Sequence, residues 1–578
     1  PQGANSVPAR HRQMPYRVFL RLVAARLQAT YDDAAFPYES PEEFIHDIEL
    51  VADSLRENKG RNAGLFAVYR LLRRIETFGF HVATLDIRQN ALVHRRVVGE
   101  GLQEENWLAM SCEARTARLK EALNRRESPV GRFSSEGRRT LAVFRAIAHC
   151  RRKYGAHAIG PYIISMAHGP DDVLSVLLLA KWGDLGPKGS AVPLDVVPLF
   201  ETVEDLQNAA SIMSGLLDDH SYRAHLEKRR SHQMVMVGYS DSNKDGGLAA
   251  ARWTLRQAQE ELVEVMGRMG VSLTIFHGRG GTVSRGGGRL HEAVMAAPAG
   301  AIAGRLRMTE QGEVINAKYG LRAIAMRSLE QTVSSVVAVT AQEPVPDPSE
   351  PRWCSVMSEI ATASRDVYKE LIYDRPEFWE YFRGATPIDV IEQLGIGSRP
   401  AYRSDNANIQ DVRAIPWVFA WTQTRLLLPG WFGVGSGLQH ALDHHGEETL
   451  KEMLARWKFF GALIGDVEVV LCKTDIDIAE RYSELAGPLH DEIFPLLRAE
   501  YERCTEFILL LRGQRELLEK QDTLRRAIRL RNPYVDPMSL LQVDLLKRWR
   551  EGGRTDDSML QALMASINGI AHGMQNTG

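Results

Sequence analysis

Cysteine is scarce in this chain, with five in 578 residues. Cys112, Cys150, Cys354, Cys472 and Cys504 are odd in number and include no C-x-x-C pair. That pattern sets aside a disulfide scaffold and a thiolate zinc site, and it favours a reducing, cytoplasmic setting. Long apolar runs are missing too. The stretch 507–511 falls far short of the roughly 18 residues that a membrane-spanning helix needs. The opening Pro-Gln-Gly-Ala-Asn-Ser has no signal-peptide core, so residues 1–14 read as a flexible lead-in. Charge of one sign is also lacking: the formal net charge is −2, which gives no bulk attraction to nucleic acid or an anionic membrane. Basic runs such as Lys228-Arg229-Arg230 are expected on solvated helix faces. No phosphate-binding G-x-x-x-x-G-K-[ST] loop, no G-x-G-x-x-G after a strand, no H-E-x-x-H and no G-x-S-x-G occurs. The usual nucleotide hydrolase, dinucleotide, zinc protease and α/β-hydrolase readings therefore fall away.

What remains is a globular composition, 44% hydrophobic and 25% charged. Apolar residues recur every three or four positions over 141–153, and similarly over 15–29, 66–78, 246–269, 450–464 and 489–520, which predicts helices. Five short β-rich runs stand among them, at 80–87, 162–166, 192–200, 234–239 and 272–276. Strands separated by tens of helical residues suggest βα units and a parallel sheet. Each run is followed by ionisable residues: Arg88, His168, Glu201, Asp241 with Lys244, and His277 with Arg279. Catalytic groups gather at the C-terminal ends of strands in a parallel β/α barrel. The expected fold is therefore predominantly α with a TIM-like barrel. Its barrel portion would span 15–430, with a C-terminal helical region at 431–578.

The strongest local signal is F-H-G-R-G-G-T-V-S-R-G-G-G from Phe276 to Gly288. Glycines allow close backbone approach to an anion and present N–H groups. Arg279 and Arg285 add planar cationic forks for phosphate or carboxylate. Ser284, Gly286, Gly287 and Gly288 would belong to a loop able to order over a ligand. A second signal is G-Y-S-D-S-N-K-D-G-G at 238–247. There Asp241 suits a divalent cation and Lys244 a phosphate charge, although Ser242 or Asp245 could simply cap the following helix. Glu201, after the apolar Leu199-Phe200, offers a further oxygen ligand or an ordinary helix-start acid. Arg399 and Arg413 flank a polar, aperiodic stretch that reads as a loop. His444-His445 reads as an exposed turn.

These motifs closely resemble those of phosphoenolpyruvate carboxylase. The matches are L-D-I-R-Q at 85–89, F-E-T at 200–202, G-Y-S-D-S-N-K-D at 238–245 and F-H-G-R-G-G at 276–281. They continue with T-E-Q-G-E at 309–313, S-R-P at 398–400, R-A-I-P-W-V-F-A-W-T-Q-T-R at 413–425 and the terminal Q-N-T-G. The resemblance implies carboxylation of phosphoenolpyruvate by bicarbonate, giving oxaloacetate and phosphate, with Mg²⁺ or Mn²⁺ as cofactor. It implies Glu201 and Asp241 as metal ligands. Arg88, Arg279, Arg399 and Arg413 would hold phosphate and carboxyphosphate, Lys244 would support the phosphoryl group, and His277 would assist carboxylation. It further implies inhibition by aspartate or malate at Lys473, Arg531, Asn576 and Arg285, and a homotetramer. Two loop positions depart from the family pattern: Ser284 stands where glycine is usual and Arg289 where proline is usual. The family's T-A-H-P-T-E motif is absent from 1–578, so an N-terminal segment supplied in trans, a processed or truncated form, or a degenerate paralogue is expected. Two other readings stay open, a non-catalytic anion-binding paralogue and a metal-dependent phosphoenolpyruvate hydrolase.

Overall fold

The computed structural model describes residues 8–185, 192–342, 345–394, 401–402 and 408–575. Helices dominate. Among the described residues six strands accompany them: β1 (Leu85–Asn90), β2 (Ile159–Ser165), β3 (Val196–Phe200), β4 (His232–Gly238), β5 (Ser272–Gly278) and β6 (Arg307–Met308). The chain divides into two compact units. One comprises residues 1–198 and 219–230, the other 199–218 and 231–578.

In the first unit β1 and β2 run parallel, and β2 pairs in parallel with the opening of β3, Tyr162 facing Val196 and Ile164 facing Pro198. Nearly every side chain of β2 is buried, as its continuous apolar sequence requires of a strand covered on both faces. Tyr162 stacks on Phe144 at 5.2 Å between ring centroids and receives His94 Nε2 at 2.9 Å from its hydroxyl. The Pro170–Trp182 helix brings two acids, Asp171 and Asp172, into the interior. Arg115 Nε donates to Asp171 at 2.6 Å, and Arg95 reaches both oxygens of Asp172 at 2.8 Å. Buried carboxylates persist only when paired in this way. The helices Pro15–Asp32, Pro41–Glu57 and Leu65–Phe78 close a small apolar cluster around Val23, Phe44, Ile48 and Leu72.

In the second unit the end of β3 pairs with β4, Phe200 facing Val237. Strand β4 pairs with β5 along its whole length, and β5 with β6. The Val203–Leu217 helix packs on the long Ser240–Arg268 helix. Behind them lies an aromatic core in which Trp417 and Trp421 meet edge to face at 5.6 Å, with Phe378 and Phe382 alongside. The Ala414–Gln423 helix is anchored by polar contacts as well. Gln542 Nε2 donates to Gln423 Oε1 at 3.3 Å and to Ser566 Oγ at 2.9 Å.

All the described pairings are parallel and follow sequence order. The parallel expectation is met among the described residues, whose six strands do not by themselves make up the closed eight-stranded barrel of the TIM type. Several sequence boundaries shift for physical reasons. Strand β1 starts at Leu85 because Gly79 and Val82 hold positive φ, 49° and 64°, which interrupts an extended chain. Strand β6 is two residues long, too short for any periodicity. The helical run at 450–464 breaks at Trp457, whose ring is drawn into the core against Trp253 and Trp353. The run from 489 stops at Arg512, where Gly513 adopts a left-handed cap with φ of 58°. His444 and His445 end the Val434–His445 helix instead of forming a turn, and His445 Nε2 meets Glu359 at 2.8 Å.

Candidate active site

The site residues of the second unit hang from the ends of β3, β4 and β5. Glu201 follows β3 directly and is buried. The adjoining helix start is capped by other groups: Thr202 Oγ1 accepts from Asp205 N at 3.1 Å, and Asp205 accepts from Thr202 N at 3.0 Å. This reciprocal box satisfies the helix end, so Glu201 is not the capping acid. Across the β3–β4 ladder, Glu201 lies against Gly238. A Cβ there would sit 3.0 Å from Glu201 Cα. Three residues later Asp241 stands in the first turn of the Ser240–Arg268 helix. Two carboxylates thus arise from adjacent strand ends, with a glycine keeping the space between them narrow.

The Ser240–Arg268 helix starts earlier than its apolar pattern suggests, and neither Ser242 nor Asp245 caps it. Ser242 Oγ donates to Gly238 O at 3.0 Å, and Asp245 accepts from Val203 N at 3.3 Å. Gly247 interrupts the helix with φ 78° and ψ 170°. Its short opening segment therefore carries Asp241, Asn243 and Lys244 separately from the long remainder. Lys244 is buried, and its ammonium donates to Gln410 O at 3.2 Å. That places it three residues from Arg413, which precedes the Ala414–Gln423 helix and is held by its N–H to Ala401 O at 2.9 Å.

His277 lies within β5, not after it, and is buried. Its Nδ1 is 2.9 Å from the Tyr239 hydroxyl. Burial, aided by the Arg279 charge, pushes its pKa down to about 3, so the ring is neutral at neutral pH. Burial also lowers the Arg279 pKa. The Arg279 guanidinium is engaged by its own loop: Nε donates to Gly286 O, and Nη2 donates to Gly287 O at 3.3 Å.

The glycine-rich segment is a folded turn and not an open cradle. Gly280 N donates to Arg285 O and Gly287 N to Thr282 O, both at 2.6 Å, around a short turn at Val283–Arg285. Gly286 has φ of 80°, and a Cβ on it would lie 2.4 Å from the Tyr239 ring. Only glycine fits there. Arg285 Nε donates to Ser240 Oγ at 3.1 Å and Nη1 to Gln311 Oε1 at 3.3 Å. Asn243 Nδ2 donates to Ser284 O at 2.7 Å and to Pro429 O at 2.9 Å. Of the two departures from the family pattern, Ser284 is buried, and Arg289 meets Glu292 at 2.7 Å and also bonds Gln521. Arg289 thereby ties the loop's exit to the C-terminal helices.

Lys473 ends the Lys458–Lys473 helix. Burial lowers its pKa, and the positive charge of Arg531 lowers it further. Lys473 lines a cavity of about 270 Å³ together with Thr282, Val283, Ser284, Gly288 and Gln575. Arg88 belongs to the first unit, exposed in β1 opposite Ile163. Arg399 and Asn576 lie outside the described residues.

The sequence thus scatters the site over 201–413, while folding brings Glu201, Asp241, Lys244, His277, Arg279 and Arg285 onto contiguous strand ends and one loop. Comparison with known proteins agrees with the motifs: the family description "Phosphoenolpyruvate carboxylase" matches residues 1–578. The chain belongs to the phosphoenolpyruvate carboxylase family. A phosphoenolpyruvate carboxylase of Xanthomonas euvesicatoria pv. vesicatoria (strain 85-10) is 50% identical over all of this chain, which spans 64% of that relative's length. Another from Azoarcus sp. (strain BH72) is 41% identical over 98% of the chain and 64% of its own length. One from Bradyrhizobium diazoefficiens is 39% identical, again over 98% of the chain, and the match covers 63% of the relative. Family membership makes sense of Tyr239, Asn243 and Gln311, which lie in or beside the family motifs but were not singled out. Arg252 and Asp466, which also touch the loop, stand in helical runs with no local signal to mark them.

Proposed function

We propose that this chain carries the phosphoenolpyruvate- and metal-binding machinery of a phosphoenolpyruvate carboxylase, acting on phosphoenolpyruvate and bicarbonate to give oxaloacetate and phosphate. The observation that carries this reading is the pairing of Glu201 and Asp241 on adjacent strand ends, beside a buried lysine and the arginine-bearing glycine loop. Among the described residues no group of three or more His, Cys, Asp or Glu could hold a metal ion. Two carboxylate ligands fit Mg²⁺ or Mn²⁺, whose remaining positions are commonly filled by water and substrate oxygens. When bound, such a cation supplies charge stabilisation for the phosphate and the developing enolate.

The chain's own groups do the positioning. Lys244, Arg279 and Arg413 place cations around the phosphoryl group, where charge develops as a bicarbonate oxygen attacks phosphorus and the enol P–O bond breaks. Arg88 and Arg399 are assigned to the same phosphate and carboxyphosphate by family resemblance. Carboxyphosphate then releases CO₂ and phosphate, and the enolate carbon attacks CO₂. The Tyr239 contact occupies His277 Nδ1, leaving Nε2 as the nitrogen for the carboxylation step. Closure of 281–288 would exclude water from the enolate. The barrel portion is assigned to 15–430 and the helical effector region to 431–578, with Lys473, Arg531, Asn576 and Arg285 receiving aspartate or malate. A homotetramer completes the family reading.

The test is to incubate the protein with phosphoenolpyruvate, Mg²⁺ and bicarbonate and to measure oxaloacetate and pyruvate separately. Oxaloacetate supports the proposal. Pyruvate alone assigns hydrolysis, and neither product assigns a binding role.

A further inference from the structure

The opening turn of the Ser240–Arg268 helix grips the Val283–Arg285 turn at two points. Arg285 Nε donates to Ser240 Oγ at 3.1 Å, and Asn243 Nδ2 donates to Ser284 O at 2.7 Å. Ser240 and Asn243 are three residues apart, so they share one face of the helix. Asn243 also reaches past the loop: the same Nδ2 donates to Pro429 O at 2.9 Å. Pro429 lies in the Leu428–Gly430 turn, which is buried throughout, and a Cβ on Gly430 would sit 2.6 Å from Val470 Cγ1. One amide thus joins the glycine loop to a fixed point of the core.

Stability alone does not account for an asparagine at this place. The side chain is 2% exposed, and its Oδ1 takes no hydrogen bond among the described residues. A buried acceptor left without a donor costs about as much as two ordinary hydrogen bonds contribute, so the residue calls for another reason. The neighbouring residue supplies one. Lys244 follows at about 100° around the same turn. Its ammonium donates to Gln410 O at 3.2 Å, and its carbonyl accepts from the Tyr373 hydroxyl at 2.8 Å. Gly247 then interrupts the helix. The opening turn therefore acts as one piece, with the loop fastened to Asn243 and the lysine of the phosphoryl site beside it.

We propose that Asn243 is a positioning residue whose amide clamps the glycine loop to the Leu428–Gly430 turn and thereby sets the aim of Lys244. This inference rests on the proposed role of Lys244 at the phosphoryl group. Asn243 itself is assigned to neither substrate nor metal. Arg279 and Lys244 arrive from different strand ends, and the clamp fixes where one stands relative to the other. A misplacement of about 1 Å among groups aimed at one reacting centre can cost about a hundredfold in rate, so this register bears on turnover more than on binding.

Hydrogen exchange reads the clamp without turnover, because the amides of Arg285, Gly286 and Gly287 are bonded within the loop's own turn. Two variants separate the donors of Asn243 from its shape. Asn243→Asp keeps the outline but turns carboxylate oxygens toward two carbonyls. Asn243→Ala removes donors and outline together, and serves alone if Asn243→Asp does not fold. In each, exchange over 281–288 should rise about tenfold, and exchange over 408–413 should rise with it, since Lys244 holds Gln410 O. Exchange along the Leu489–Arg512 helix should stay at the parent's level. Calorimetry should find Mn²⁺ binding by Asn243→Ala within about twofold of the parent's, because both carboxylates remain. Where the parent forms oxaloacetate, kcat should fall about tenfold or more in both variants, with KM for phosphoenolpyruvate changed by less than about threefold. Parent-like loop exchange in either folded variant overturns the proposal. So does a loosened loop that leaves 408–413 undisturbed or kcat unchanged, and so does a rise that extends to Leu489–Arg512, which marks general loosening. A parent that makes no oxaloacetate defeats the functional reading instead, and the exchange results still decide the clamp.

Discussion

The Tyr239 hydroxyl stands 2.9 Å from His277 Nδ1, and the same tyrosine ring fills the space that a side chain on Gly286 would need. One aromatic residue thus touches both the histidine of β5 and the loop that follows it. Tyr239→Phe should leave a buried ring nitrogen without its partner, costing about 1–3 kcal/mol of stability. If His277 serves carboxylation, kcat should fall by about tenfold or more with a smaller change in KM for phosphoenolpyruvate. Chemical denaturation and steady-state kinetics measure the two effects, and an unchanged kcat would remove the histidine–tyrosine contact from the mechanism.

Gly286→Ala adds a Cβ at positive φ and against the Tyr239 ring. An alanine forced into such a conformation destabilises by more than about 1 kcal/mol. Because the cost falls on the loop, limited proteolysis within 281–288 should accelerate well before the melting temperature moves. Gly267→Ala is the control, since nothing lies within 4 Å of its added methyl.

Acid should weaken the fold through its buried histidines. Burial lowers the pKa of His94 to about 3 and that of His225 to about 4. Each folded-state value lies below the unfolded value, so the unfolded chain binds the proton first. Their contribution is intact above about pH 6.5 and declines as pH falls toward the folded values, by about 1.4 kcal/mol per pH unit for each ring. His94→Gln should flatten the stability profile between pH 6 and 4, as read by urea melts across that range. A slope equal to the parent's would show that His94 does not contribute.

The carboxylate pair can be checked by metal binding alone. Glu201→Gln and Asp241→Asn should each weaken Mn²⁺ binding by at least about tenfold, since each replaces a charged oxygen ligand by an amide. Titration calorimetry at fixed pH gives the comparison, and undiminished affinity in both variants would place the metal elsewhere.

Much of this architecture is legible in the sequence where side-chain pattern and backbone need coincide. The fully apolar run of β2 and the glycine-rich segment after β5 announce themselves, because burial on both faces and tight turns each demand particular residues. Strand β6 does not, being two residues held by pairing to β5. Trp457 looks like one more apolar position in a continuous helix, and only its packing against Trp253 and Trp353 shows why the helix breaks there. In the site, Asp241 and Lys244 stand in one short motif. Arg252 and Asp466, by contrast, are 214 positions apart, so no local rule pairs them. In the glycine segment composition does not reveal the internal bonds of the turn, in which the Gly280 and Gly287 amides donate to Arg285 O and Thr282 O.

The break at Gly247 has a consequence for how this chain can change over time. Tyr368 packs against that glycine, 3.1 Å from where a methyl would be, and holds the joint in place. Beyond it, the exposed positions of Leu248–Arg268 can change without re-aiming Asp241, Asn243 or Lys244, while its buried face, Trp253 included, stays fixed in the core. A straight helix would transmit each added or deleted residue as a rotation of about 100° to everything upstream. The kink therefore separates the part of the helix that packs into the core from the part that must keep its aim.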